Sequence, residues 1–532
     1  MIVNLRSLND QTAWAEAGIK LPAYDPVYVA NQTKDAPVWL HFGAGNIFRG
    51  FIAGLQQRLL NEGLADRGII AAETFDFEIV SRIYGPYDNL TVNVTLNADA
   101  TIGCEITASV CEAVVTDARG MKRLSEIFAA PGLQMVSFTI TEKGYILRGT
   151  DGNYLPSVNA DLQNGPDKAR HVMGVVAALL IKRYSAGKLP LALVSMDNCS
   201  RNGEKLRSSV LEIAKAWADN GFIDTGFLEY VSDEKTVSFP WSMIDKITPR
   251  PDKSVEEMLI SKGIEGMAPI VTGKNTFIAP FVNAERPSYL VIEDNFPNGR
   301  PALEHAGVYF TDRGTVSKTE RMKVTACLNP LHTAMSVYGC LLGYNRISDE
   351  MKDPEITALI KRLGYMESLP VVDNPGIISP KAFIDEVIGE RLPNPFMPDT
   401  PQRIATDTSQ KVEIRFGETI KSYIAENRDL SSLVAIPLAI AGWLRYLLSV
   451  DDSGRPMEIS PDPLKEELTA RLVGIAWDDP GSYRGQAAAI LANGNIFGLD
   501  LTKTILGGTI EAYFRSMLEG PGSVRQTLRG AL

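Results

Sequence analysis

Residues 38–60 read VWLHFGAGNIFRGFIAGLQQRLL, and the order of apolar residues, glycines and helix formers in this stretch decides the fold. An extended apolar run comes first, then a turn through Gly43-Ala44-Gly45, then a helical pattern. Gly43 permits the tight turn. Gly45 leaves room for a pyrophosphate to reach backbone N–H groups at the start of the helix, where the dipole favours anions. The third glycine of the usual G-x-G-x-x-G pattern falls instead on Ile47 or Phe48, with Arg49 and Gly50 just beyond. A strand-to-helix turn built of small residues, with no ligand, is the plain alternative.

The next apolar run, Gly68–Ala72, ends at Glu73, thirty positions after Gly43. An acid at that place accepts hydrogen bonds from adenosine ribose hydroxyls and repels a 2′-phosphate, which favours NAD over NADP. Asp76 could serve instead, and an exposed carboxylate with no role is the bland reading. The candidate cofactor contacts are therefore Gly43, Ala44, Gly45, Asn46, Ile47, Phe48, Arg49 and Glu73.

Working outward, further strands are expected at Val38–Phe42, Met135–Thr141, Leu191–Ser195 and Tyr289–Ile292, separated by helix-length segments. Apolar strands alternating with helices predict a parallel sheet covered on both faces. After about Thr311 helical patterns dominate: Leu331–Leu342, Pro354–Met366, Pro380–Ile388, Leu433–Leu448, Pro463–Ala476 and Ser482–Ala492. We expect an α/β chain with a Rossmann-like dinucleotide-binding domain over 1–310 and a mostly α-helical substrate and catalytic domain over 311–532. A length of 532 residues agrees, since single cores stop growing at about 250–300 residues.

The net charge of −11 argues against nucleic-acid or anionic-membrane partners, which need basic patches. The start, MIVNLRSLNDQTAW, has no signal-peptide pattern. The longest apolar run, Leu433–Leu444, contains Pro437 and Gly442 and stops at Arg445, shorter than the roughly 20 residues of a membrane span. Five scattered cysteines (Cys104, Cys111, Cys199, Cys327, Cys340) suit a reducing cytoplasm. The four histidines (His41, His171, His305, His332) lie far apart and form no cluster with cysteines, so no metal is expected.

Residues 320–344, ERMKVTACLNPLHTAMSVYGCLLGY, carry the chemistry. Lys323 sits in an apolar, short-side-chain stretch. Such a lysine loses hydration, its pKa falls toward neutrality, and it can take a proton from an alcohol. Asn329 before Pro330 suits a helix N-cap followed by proline, and His332 follows by three. The alternatives are a capping asparagine, a lysine snorkelling to solvent and a satisfied core histidine.

The segment resembles the M-K-L-R-x-L-N-x-x-H motif of the polyol-specific long-chain dehydrogenases, a family that includes mannitol 2-dehydrogenases and the fructuronate and tagaturonate reductases. The resemblance implies that Lys323 is the catalytic lysine, assisted by Asn329 and His332. Lysine to asparagine is six residues here, one more than in the family motif. SMDNCSRNG resembles the segment whose asparagine meets the reacting oxygen, which implies that role for Asn198. A plain turn is the alternative there. FPWSMIDKITPR resembles M-V-D-R-I-T-P and places Asp245 by the site. VIEDNFPNGRP resembles the segment ahead of the lysine through Glu293, Asp294, Phe296 and Arg300. Glu320 matches a glutamate that helps move the proton to solvent, and GAGNIFRG matches the family's glycine turn. The matches run over residues 38–345.

KVTACLNPLHTA looks most like the fructuronate reductases. That implies an NAD-dependent, metal-independent oxidoreductase interconverting D-fructuronate and D-mannonate, with tagaturonate/altronate or mannitol/fructose as rival pairs. A sugar-acid epimerase or an NAD-binding sensor is the non-redox alternative. A substrate carboxylate needs a cation, and IRFGETIKSY offers Arg415 and Lys421, with Arg428 beyond, against a solvated helix face as the bland reading. The expected partner is a small sugar acid or polyol, bound by a cytoplasmic monomer or small homo-oligomer.

Overall fold

The computed structural model describes all residues, Met1–Leu532. The chain divides into two compact units, Met1–Asn97 with Thr101–Ser317, and Ala98–Ala100 with Lys318–Leu532.

The first unit is built on a six-stranded parallel sheet. Across it the strands run Val110–Val115, Ile69–Glu73, Trp39–Phe42, Met135–Phe138, Leu191–Ser195 and Val237–Ser238. In chain order within the sheet this is 3-2-1-4-5-6, the doubly wound dinucleotide-binding order. The strand order reverses beside Trp39–Phe42, so the Gly43 turn leaves the sheet at the switch point, where ligands bind in such folds.

Alternation of side chains explains why these runs are apolar throughout. Leu40, Phe42, Ile70, Ala72, Val136 and Phe138 enter a core closed by the helices Ala118–Ala129, Val172–Ser185 and Asn202–Asp219. Trp39, Ile69, Ala71, Met135, Ala192 and Val194 enter a second core on the other face. Each large side chain so buried contributes about 1.5–3 kcal/mol.

One expected strand belongs elsewhere. Tyr289–Glu293 pairs antiparallel with Ser242–Asp245 and parallel with Tyr309–Thr311 in a separate three-stranded sheet. Its Leu290 and Ile292 join the second core. The strand therefore lies over a face of the main sheet rather than extending it, a distinction that apolar content cannot reveal.

The second unit is helical. The apolar run is the buried helix Ala435–Tyr446. Its first backbone N–H groups are received by a single buried carboxylate: Val434, Ala435 and Ile436 donate to Glu367 at 2.8, 2.7 and 2.9 Å, satisfying groups that a helix N-terminus leaves open. It crosses the helix Asn329–Leu341 where Gly442 lets the Tyr338 ring approach; a Cβ at Gly442 would lie 2.9 Å from that ring. Two expected helices are shorter than their patterns. Pro463–Ala476 yields only Lys465–Arg471, and Ser482–Ala492 only Ala488–Leu491 plus a turn at Pro480–Ser482. Gly474 and Gly485, at φ +88° and +92°, interrupt them. No helix is long and apolar enough to cross a membrane.

His41, fully buried in the first strand, bonds Ser137 and Thr139 through its two ring nitrogens at 2.7 and 2.8 Å and stacks on Phe48. Burial pushes its pKa down to about 3. Between that value and the unfolded value of about 6.5, the unfolded chain holds a proton that the folded unit refuses. Stability from this group is thus intact above about pH 6.5 and declines as pH falls, by up to about 1.4 kcal/mol per unit. Denaturant titrations between neutral and mildly acidic pH should record that slope, and His41→Gln should flatten it.

Candidate functional site

The glycine turn is held from both sides. Gly43 has φ +104°, and a Cβ on it would lie 2.1 Å from the Thr139 carbonyl oxygen. Its N–H donates to Ala72 O at 2.9 Å. The next amide, Ala44 N–H, donates to Glu73 Oε2 at 2.9 Å, while Phe75 and Asp76 N–H donate to Glu73 Oε1 at 2.8 and 3.2 Å. Glu73 thus joins the ends of the first two strands. A carboxylate has about four acceptor positions, so one remains for a ribose hydroxyl. Asp76, the alternative, is buried and accepts from the Thr272 hydroxyl at 2.5 Å.

Beyond the turn the space needed by a ligand is open. Nothing lies within 4 Å of where a Gly45 Cβ would be. The chain is helical from Asn46 and widens into a π-helical turn, Phe48–Ile52. Close packing falls to Gly50, whose Cβ would meet Val282 at 2.6 Å, so Gly50 does the packing expected of the missing third glycine. Arg49 is fully buried. It donates from Nη2 to Asn46 Oδ1 at 3.0 Å, while Nε and Nη1 have no partner. Burial pushes its pKa down to about 10. A buried guanidinium with two unused donors, beside an open glycine cradle at a sheet switch point, fits a dinucleotide pyrophosphate.

At the ends of the neighbouring strands lies a cluster the sequence reading passed over. Asp197 is buried and accepts from Ile140 N–H, Thr141 N–H and the Tyr145 hydroxyl at 3.0, 2.9 and 2.6 Å. Burial pushes its carboxyl up and these bonds pull it back; burial and Asp197 together hold the Tyr145 phenol well above its ordinary value. Thr141 has φ +63°, a strained conformation for a β-branched residue. The turn-forming Asp197-Asn198 pair was the available signal, read only for its second member. Asn198 itself is exposed in the loop after Leu191–Ser195. Asp245 is buried at the end of Ser242–Asp245, opposite Tyr289.

In the second unit, Lys323 is buried at 4% exposure and opens a π-helical turn, Lys323–Cys327. The snorkelling alternative is therefore out. A π turn contains one residue more than an α turn, the same number by which the Lys323–Asn329 spacing exceeds the family motif. The helix Asn329–Leu341 begins at Asn329 itself, its cap Leu328 makes no side-chain bond, and Pro330 falls at the second position. That corrects the N-cap expectation: the Asn329 amide makes no capping bond. Asn329 and His332 are half-buried on the first turn, and Glu320 is half-buried on the helix Arg313–Met322.

Arg415 lies on a third such turn, Glu413–Gly417, and donates to the Thr333 hydroxyl beside His332. Burial pushes its pKa down to about 10. Lys421 is different. Its amine pairs with Glu418 and, at 3.9 Å, with Glu413, so its charge is already neutralised. No group of three or more His, Cys, Asp or Glu residues is placed to hold a metal ion.

Residues 38–305 match the domain described as the mannitol dehydrogenase Rossmann domain, and residues 315–515 match the mannitol dehydrogenase C-terminal domain. A D-mannonate oxidoreductase from Thermotoga maritima is 52% identical over 534 aligned positions, covering 99% of this chain and 98% of that protein. Among solved structures, a substrate-free D-sorbitol dehydrogenase shares the fold with TM-score 0.81 at 24% identity, covering 99% of this chain and 100% of that one. The Pseudomonas fluorescens mannitol 2-dehydrogenase, in ternary complex with NAD and D-mannitol, gives TM-score 0.69 at 26% identity, covering 100% and 99%.

Replacing a buried, under-bonded charge by an apolar isostere is commonly neutral or stabilising, whereas losing a charged donor to phosphate costs about 1.5–3 kcal/mol. Arg49→Met should therefore leave the thermal midpoint unchanged or raised, yet weaken NADH binding roughly 10- to 100-fold in a fluorescence titration. A variant that loses stability and keeps its NADH affinity would assign Arg49 to the scaffold.

Proposed function

Because this chain belongs to the mannitol dehydrogenase family, we propose that it interconverts D-mannonate and D-fructuronate with NAD, and that Lys323 handles the proton. The substrate assignment rests on the 52% identity to a D-mannonate oxidoreductase along nearly the whole of both chains.

When bound, NAD would supply the hydride acceptor for oxidation of the C5 alcohol of D-mannonate. Gly43, Ala44, Gly45, Asn46, Ile47, Phe48 and Arg49 hold the dinucleotide, with Glu73 toward its ribose. The amine of Lys323 takes the proton of the C5 hydroxyl as that carbon becomes a carbonyl, and returns it in the reverse direction, as general acid–base catalysis requires. Its near-complete burial keeps water from competing for that proton. Glu320, one turn earlier, relays the proton to solvent.

Asn329 and His332 donate to hydroxyls of the substrate. Asn198 donates to the reacting oxygen and stabilises its developing charge, and Asp245 orients the groups around it. Arg415 holds the substrate carboxylate. It has no acidic partner, bonds only the Thr333 hydroxyl and sits beside His332, while the paired Lys421 is a weaker candidate. The enzyme works as a monomer or small homo-oligomer in the cytoplasm, a reducing compartment that suits scattered cysteine thiols.

Initial rates with NAD and D-mannonate, D-altronate or D-mannitol, read at the nicotinamide absorbance band, test the substrate. D-mannonate should have the highest kcat/KM by at least about tenfold; equal or faster turnover of another alcohol reassigns it, and sugar conversion without net NADH change indicates an epimerase. Lys323→Ala should keep NADH affinity and lose about 10²–10⁴-fold in kcat. Near-normal turnover would remove the lysine from the mechanism.

A further inference from the structure

Just past Glu73 the chain presents an aromatic ring to solvent. Phe75 is 66% exposed. Single exposed aromatics are common and need no explanation by themselves, but this one is braced. Its own N–H donates to Glu73 Oε1 at 2.8 Å, which fixes the backbone beside the carboxylate at the end of the second strand.

A separate hairpin supports the same loop. The short strands Ile270–Val271 and Phe277–Ile278 pair antiparallel. The turn between them is organised by Thr272, whose hydroxyl accepts from Lys274 and Thr276 N–H at 3.2 and 3.1 Å and donates to the buried carboxylate of Asp76 at 2.5 Å. Gly273 N–H donates to Glu78 at 2.9 Å. These bonds carry Lys274 over Phe75, with its Nζ 5.3 Å from the ring centroid, a cation–π distance. One ring face is thus taken by the lysine, and the high exposure leaves the other face open.

In a doubly wound sheet the acid at the end of the second strand marks the adenosine ribose, so the base attached to that ribose must settle within a few ångströms of it. Resting on the reading that this unit binds NAD, we infer that Phe75 is the stacking platform for the adenine, with the Thr272–Thr276 hairpin and its Lys274 as the backing that holds the ring in place. Aromatic faces accept bases by stacking without base-specific hydrogen bonds.

The test is calorimetric titration of the full-length protein with ADP-ribose, which carries the adenosine half and no nicotinamide. Phe75→Ala should raise the ADP-ribose Kd about tenfold or more while D-mannonate KM at saturating NAD stays unchanged. Phe75→Trp should restore the affinity, and the new indole should be quenched on adding ADP-ribose. Lys274→Ala should weaken binding less than Phe75→Ala.

Wild-type-like ADP-ribose affinity in Phe75→Ala, alongside wild-type protein that binds NAD, overturns this inference and leaves the cofactor reading standing. Equal losses of ADP-ribose affinity and D-mannonate KM would also overturn it, by showing a general disturbance of the unit. Wild-type protein that bound neither NAD nor ADP-ribose would bring down both readings.

Discussion

The contact on which the nucleotide-binding unit turns is the one between the Ala44 amide and the Glu73 carboxylate. Gly43 reverses the chain with a positive φ in a space where no Cβ fits, and the following amide is caught by an acid from the adjacent strand. One side chain therefore sets the geometry of the glycine turn, the start of the next helix and the loop that carries Phe75. In such an arrangement the group expected to recognise a ribose is also part of the scaffold that shapes the phosphate site. Removing it would disturb more than one contact, and the roles cannot be separated by that substitution alone.

A second constraint recurs in both units. Arg49, Lys323 and Arg415 each lie on a π-helical turn. A wider turn rotates the side chains that follow it and frees local backbone groups, which is why such turns gather at functional sites at some cost in regular hydrogen bonding. Here each one carries a long basic side chain, buried at Arg49 and Lys323 and half-buried at Arg415. Burial lowers the pKa of both arginines, and neither has a carboxylate partner, so both favour an incoming anion over their own surroundings.

Much of the fold could be read directly. Four of the five expected strands fall in the main sheet at nearly the expected residues, because apolar runs of strand length separated by helical segments have few other solutions. Tyr289–Glu293 did not follow, since strand character is local while sheet membership is set by which partner is nearby. The helices around Gly474 and Gly485 were overestimated because helical periodicity continues past residues whose backbone cannot. Among the candidate site residues, Lys323 was legible as a lysine in apolar company. The Asn329 cap was not, because residue type alone cannot say whether the helix begins at a position or one later. Lys421 looked equivalent to Arg415 on the same stretch, and only ion pairing told them apart.

What the sequence by itself determined was local: the glycine turn, the alternating strands and helices, the apolar setting of Lys323, and the order of motifs that places the chain in its family. Tertiary structure alone decided which charges are spent and which are left over. Thr272 reaches Asp76 across 196 residues, Arg415 reaches Thr333 across 82, and the Nε and Nη1 donors of Arg49 find nothing. Spacing along a chain encodes turns and faces over a few residues. The partner of a side chain depends on distant segments brought within about 3 Å, and that distance is settled only when the cores close.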